Sequence, residues 1–108
     1  MKRVEWRAQA ERDAAEAALW YARQGGLPLG ERFLQQIDAT LARIGDAPAI
    51  GSLRHAHIAP DLPAPLRFLP LREFDRHLVY YLDLTDRIEV IRIWHAARGL
   101  DALVDEAD

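Results

Sequence analysis

Three side chains near the end of the chain, Arg92, His95 and Arg98, stand close together in the stretch IRIWHAAR. Two guanidiniums can hold carboxylates of a partner or clamp phosphate in a nuclease, and an imidazole between them can act as acid, base or hydrogen-bond donor. The same residues also have a structural reading, in which a histidine at a strand end satisfies backbone groups and the arginines brace the acidic tail. Trp94, next to them, is the tryptophan suited to anchoring a partner, while Trp6 and Trp20 read as core or interface residues. Further upstream, His55 and His57 in HAH would share one face of an extended segment and could ligate a metal. Asp46 and Asp61 are the acidic residues nearby, but no third ligand has a clear geometry, so no metal or other cofactor is expected. Arg54, Arg72 and Arg76 read as interspersed surface arginines.

A sheet must position the arginine and histidine cluster, and helices must cover that sheet. Residues 2–7 alternate, with Val4 and Trp6 on one side and Arg3, Glu5 and Arg7 on the other, which predicts a short strand near a sheet edge. From Ala8 to about Gln24 strong helix formers dominate, with Ala10, Ala14, Ala17 or Ala18, and Tyr21 on one small-residue face able to pack closely on a second helix. Gly25-Gly26 stops this helix. Pro28 suits the first turn of the next, where Leu29, Phe33, Ile37, Leu41 and Ile44 recur at helical spacing and Leu34 widens the apolar stripe. Gly45 and Pro48 end it, leaving an antiparallel helical hairpin.

Residues 46–65 contain Pro48, Pro60, Pro63 and Pro65 without a sustained period, and hold one short extended piece around Leu53 to Ile58. Leu66 to Phe74 reads as a strand at an edge or bulge because of Pro70. Asp75 marks a turn, Arg76 to Leu84 reads as the next strand, Thr85-Asp86 as a two-residue hairpin turn, and Arg87 to His95 as the last strand. Such a turn pairs Leu78 with Ile93, Tyr80 with Ile91 and Leu82 with Glu89, and this face is expected to floor the helices. His77, Val79, Tyr81, Val90, Arg92 and Trp94 then share the other face, which reads as a recognition surface. After Ala96, one helical turn is expected, with Leu100, Leu103 and Val104 docking back and Asp105, Glu106 and Asp108 in solvent.

The 108 residues suffice for one domain, 1–108, with a single core, and the apolar half of the composition fits an ordered globular chain. The fold class is α+β, β-α-α-β-β-β, with a helical hairpin on one face of a small, mainly antiparallel sheet. Net charge is −3, and Lys2 is the sole lysine. That balance disfavours general nucleic-acid binding and suits arginine contacts at specific interfaces, so no direct DNA binding by this chain alone is expected. With no cysteine, thiolate chemistry and disulfides are excluded. Without an apolar run near the ~20 residues of a membrane span, or an apolar core in MKRVEWRAQ, a cytoplasmic location with no membrane partner is expected.

The element order and particular residues resemble the RelE/ParE superfamily of toxins from type II toxin–antitoxin systems, and more closely its ParE branch. The carriers are Ala10 and Asp13, the pair Trp20-Tyr21, LGERFL (Leu29 to Leu34), LARIGDAP (Leu41 to Pro48), Leu66-Arg67, and LVYYLDLTDRIEVIRIWHAARGLDAL. The last is similar to a Tyr-rich strand, a hairpin and an Ile-x-Val-x-Arg-x-x-His-x-x-Arg strand end. Two positions depart from the pattern: Ala96 stands where the family usually has Gly, and Gly99 where it has Asp, the carboxylate that would pair with Arg98.

The resemblance implies a toxin neutralised by a cognate antitoxin that wraps across it, a small protein with a DNA-binding N-terminal domain, in a hetero-oligomer. For ParE-like members the implied target is DNA gyrase, reached by protein–protein binding rather than catalysis, and the family pattern adds Arg67 to Arg92, Trp94, His95 and Arg98 as target- or partner-binding residues. For RelE-like members the implied target is mRNA in the ribosomal A site. A nuclease needs a base, an acid and a cation, which Arg92, His95 and Tyr81 (or Tyr80) could supply. Net negative charge disfavours docking on ribosomal RNA. Ala96 and Gly99 keep open a third possibility, a decayed toxin that retains only antitoxin binding.

Overall fold

The computed structural model describes residues 1–104, in the order strand, helix, helix, strand, strand, strand, with the helices on one face of a four-stranded sheet. In β1 (Arg3–Trp6) the alternation puts Val4 and Trp6 against the core and leaves Arg3 and Glu5 exposed. Only Gly26 separates α1 (Ala8–Gly25) from α2 (Leu27–Asp46), and its φ of 96° is one that a residue with a Cβ rarely adopts. The helices cross tightly at Gly30, where a Cβ would stand 2.7 Å from the Ala18 carbonyl oxygen. Phe33, Ile37, Leu41 and Ile44 are buried, as their spacing predicts, whereas Leu34 is exposed. Gly45 lies inside α2 instead of ending it, and the chain leaves the helix at Ala47.

The sheet order is β1-β4-β3-β2, with β2 (Arg67–Pro70), β3 (His77–Asp83) and β4 (Arg87–His95). β1 runs parallel to β4 and the other pairs are antiparallel. β2 is an edge strand whose last residue, Pro70, turns its N–H-less nitrogen to the outer edge, while Leu71 N–H beyond it still donates to the His77 carbonyl at 3.0 Å. Its outer edge is bridged by Ser52, through bonds of 2.8 and 3.0 Å with Phe68. The extended contact of the long connection therefore falls at Ser52. The stretch expected to be extended, Leu53 to Ile58, holds a 3-10 turn at Ala56–Ile58 instead, and another lies at Pro48–Ile50.

The two-residue turn forms, closed by Leu84 N–H to the Arg87 carbonyl, and Leu82 pairs with Glu89 as expected. A β-bulge at Tyr80/Tyr81 then gives β4 one extra residue, Ile91, so that Tyr80 faces Arg92 and Leu78 faces Trp94 rather than Ile91 and Ile93. The expected faces are also exchanged along β3 and along β4 as far as Ile91, whereas Ile93 and Trp94, beyond the bulge, lie on the faces expected of them. The helices rest on Val79, Tyr81, Ile88, Val90 and Ile93, whereas Leu78, Tyr80, Leu82, Ile91 and Trp94 form a second core on the far side. Ile58, Leu62, Leu66, Leu100 and Leu103 cover that second core, so the far face is closed. Val104 stays exposed, and the acidic residues Asp105, Glu106 and Asp108 lie outside the described residues. Among the described residues no helix is long and apolar enough to cross a membrane.

Candidate functional site

The site is built where β1 stops short of the end of β4. Arg7 N–H still donates to the Val90 carbonyl at 3.0 Å, but β1 ends at Trp6 and α1 takes over along the open edge of β4. α1 brings Asp13 to that edge, where one carboxylate oxygen accepts from Ile93 N–H at 3.1 Å and from Arg92 Nε at 2.7 Å, and the other accepts from Arg92 Nη2 at 2.9 Å. This bidentate pair satisfies a strand edge and a buried cation with a single carboxylate. Arg92 also donates to the Leu103 carbonyl at 3.3 Å and lies 4.5 Å from the centre of the Trp94 ring.

Arg92 is therefore only 2% exposed and joins α1, β4 and the C-terminal segment, so it is not presented to a partner as the sequence suggests. Trp94 is 1% exposed. Its indole N–H donates to the Gly99 carbonyl at 2.8 Å, and the Arg98 guanidinium covers its ring at 3.9 Å. Their placement in a recognition surface is thus corrected: the bulge and the docked C-terminal segment bury both. Gly99, at the position where the resemblance leads one to expect aspartate, has a φ of 74°, a conformation that suits glycine.

What the strand exit does present is a half-buried His95 and an exposed Arg98. His95 Nδ1 accepts the Ala97 N–H at 3.1 Å and so caps the 3-10 turn Ala96–Arg98. Its ring meets the edge of His77 with centroids 4.8 Å apart. Arg76, also exposed, lies at the same end, its carbonyl accepting from Ala96 N–H at 2.7 Å. Between α1 and this exit is a cavity of about 230 Å³ lined by Asp13, Glu16, His77, His95 and Arg98.

The other candidates lie apart. Arg67 is half-buried and braces the long connection, donating to the carbonyls of Ala49 and Gly51 at 3.1 and 3.0 Å. Tyr81 is fully buried under the helices; its hydroxyl donates to the Pro48 carbonyl at 2.7 Å and accepts from Gly51 N–H at 2.8 Å, and burial raises its pKa. It pairs with Val90 while His95 pairs with His77, four residues along the strand or roughly 13 Å. Arg92, His95 and Tyr81 are thus not brought together. Tyr80 is also buried, which pushes its pKa up to about 12, and it shares a 2.7 Å bond with His55 Nδ1. His55 stacks on Phe68 at 4.5 Å, and burial, followed by Arg54 and His57, lowers its pKa. Because the segment is a 3-10 turn, exposed His57 does not share an extended face with it. Among the described residues no three histidine, aspartate or glutamate side chains are placed so that they could hold a metal ion.

Two residues of this region have roles other than those the sequence reading gives them, with Asp13 there only part of the family pattern and His77 part of the recognition face. Asp13 is one, and its signal is a lone carboxylate among Ala10, Ala14 and Ala17 on the buried side of α1. His77 is the other: it is buried, shares a 3.2 Å bond with the Tyr21 hydroxyl and sits edge-on to Phe33. Desolvation, with a smaller contribution from His95, lowers its pKa to about 4.

Comparison with known proteins follows the same lines. Residues 4–100 match the family of ParE toxins of the type II toxin–antitoxin system parDE. Among solved structures, a chain of the chromosomal ParDE toxin–antitoxin system from P. aeruginosa has the same fold, with a TM-score of 0.69 at 18% identity, covering 88% of this chain and 96% of that one. No curated protein sequence matches.

Proposed function

As the chain belongs to the ParE family of type II toxin–antitoxin toxins, we propose that it inhibits DNA gyrase in the cytoplasm by protein–protein contact, without catalysis, and is neutralised by a cognate antitoxin. The observation that carries the non-catalytic reading is the engagement of the side chains a nuclease would need. Arg92 is sequestered by Asp13 and Tyr81 by the Pro48–Gly51 backbone, so neither is poised beside His95. Of the expected binding set, Arg98 is exposed and His95 and Arg67 are half-buried, and exposed Arg76 joins His95 and Arg98 at the exit. We assign target or antitoxin docking to this end of the sheet, while Arg67, apart from it, holds the long connection in shape at Ala49 and Gly51.

Expression of the chain alone should arrest growth, and co-expression with the small protein encoded beside it should relieve the arrest. Purified chain should inhibit gyrase supercoiling, and Arg98→Glu should weaken that inhibition about tenfold or more, as the reversal of a contact charge does. Arrest with gyrase unaffected and ribosome-dependent mRNA cleavage present would overturn the gyrase reading in favour of a RelE-like nuclease. Absence of arrest alongside retained antitoxin binding would mark a decayed toxin.

A further inference from the structure

We propose that His95 is an acid-sensitive latch on the C-terminal exit of the sheet, holding the Ala96–Arg98 turn when its imidazole is neutral and releasing it when protonated. The basis is the direction of a single bond. His95 Nδ1 accepts the Ala97 N–H at 3.1 Å, and only a neutral imidazole with its proton on Nε2 has a lone pair there. Once protonated, Nδ1 becomes a donor facing another donor, and the cap is replaced by repulsion. The turn it holds is short and has one closing backbone bond of its own, Gly99 N–H to the Ala96 carbonyl at 3.2 Å.

Release would spread to what the turn carries. Arg98 lies across the Trp94 ring, and Gly99 accepts the indole N–H, so loosening the turn uncovers Trp94 and moves Arg98. The groups facing His95 come from each element packed against it. From β3, His77 stacks edge-on against His95; from α1, Asp13 and Glu16 line the shared cavity; Arg98 closes it from the turn; and Arg76 contributes its carbonyl to Ala96. Asp13 is already engaged by Arg92 and the Ile93 N–H, and Tyr21 is held by His77. An added proton on His95 thus meets the Arg98 guanidinium and the Glu16 carboxylate, beside a His77 that burial keeps neutral until about pH 4. In functional terms the latch would make the exposure of the exit depend on pH. That consequence rests on the docking role assigned above, whereas the latch itself rests on the bond geometry.

The test is an NMR titration of the full-length chain from pH 8 to 5 that follows the His95 ring, the Ala97 amide and the Trp94 indole N–H. The expected result is that all three move with one midpoint, and that Ala97 amide exchange, corrected for its intrinsic pH dependence, accelerates about tenfold as one hydrogen bond is lost. In His95→Asn, which keeps an acceptor at the cap position but gains no proton, the Ala97 and Trp94 transitions should vanish. The proposal is overturned if Ala97 and Trp94 stay fixed while the His95 ring titrates, or if His95→Asn shows the same transition, which would place it on His77. Should His95→Asn fail to fold, the wild-type titration decides alone. Supercoiling inhibition over the same range, compared with His95→Asn, tests the docking role separately: a transition at Ala97 with unchanged inhibition supports the latch and removes the exit from the docking surface.

Discussion

Replacing Asp13 by alanine would leave the Arg92 guanidinium buried without its counter-charge and Ile93 N–H without an acceptor. Breaking a buried pair from one side costs about 3–5 kcal/mol, and urea unfolding should show a loss of that order. Asp13→Asn keeps an acceptor for Ile93 N–H and should cost less. A paired Asp13→Leu, Arg92→Met replacement should be less damaging than the sum of its parts, as a double-mutant cycle would reveal. The sequence does mark Arg92, His95 and Arg98 as belonging together, and the structure does place them at one strand end. It does not say which of them faces solvent, because an arginine that binds a partner and one that binds its own helix look alike until the carboxylate is located. That carboxylate is 79 residues away. His95, read either as a functional group or as a backbone cap, is a cap in the folded chain.

Among the elements, the helical hairpin was the most legible, since the spacing from Leu29 to Ile44 allows one burial pattern and the glycines mark the break. The close crossing at Gly30 is testable. Gly30→Leu would drive a side chain into the Ala18 carbonyl and the Ala22 methyl, and overpacking of this kind should cost about 1–3 kcal/mol despite leucine's better helix propensity, seen as a lower melting temperature with unchanged helical content before the transition. The β3–β4 hairpin was legible only as far as its turn. HLVYYLD and VIRIW are apolar on both faces, because helices cover one and the Ile58–Leu66 and Leu100–Leu103 stretches the other, so no alternation tells inside from outside. Nor does a glycine flag the bulge. One extra residue, Ile91, then separates the expected register from the observed one.

For the whole molecule, the buried His77 sets an acid limit. Its folded pKa of about 4 lies below the ordinary 6.5, so the unfolded chain takes up this proton first as pH falls. The stabilisation is complete above about pH 6.5 and is lost between there and pH 4, by up to about 3 kcal/mol. Urea midpoints measured across that interval should fall with pH in the wild type and fall less in His77→Gln. The sheet order carries a different consequence. β1 is made first and β4 last, yet they lie side by side, with Lys2 closing on Asp83 and Arg7 on Glu89. Every nascent chain shorter than about ninety residues lacks the strand that receives its own beginning. At ~5–20 residues per second β4 therefore follows the hairpin of helices by seconds, and only then can the sheet close. Translation thus imposes a delay of its own on the appearance of the folded toxin, and a message cut or stalled before the codons of β4 yields a chain unable to form the strand exit at all.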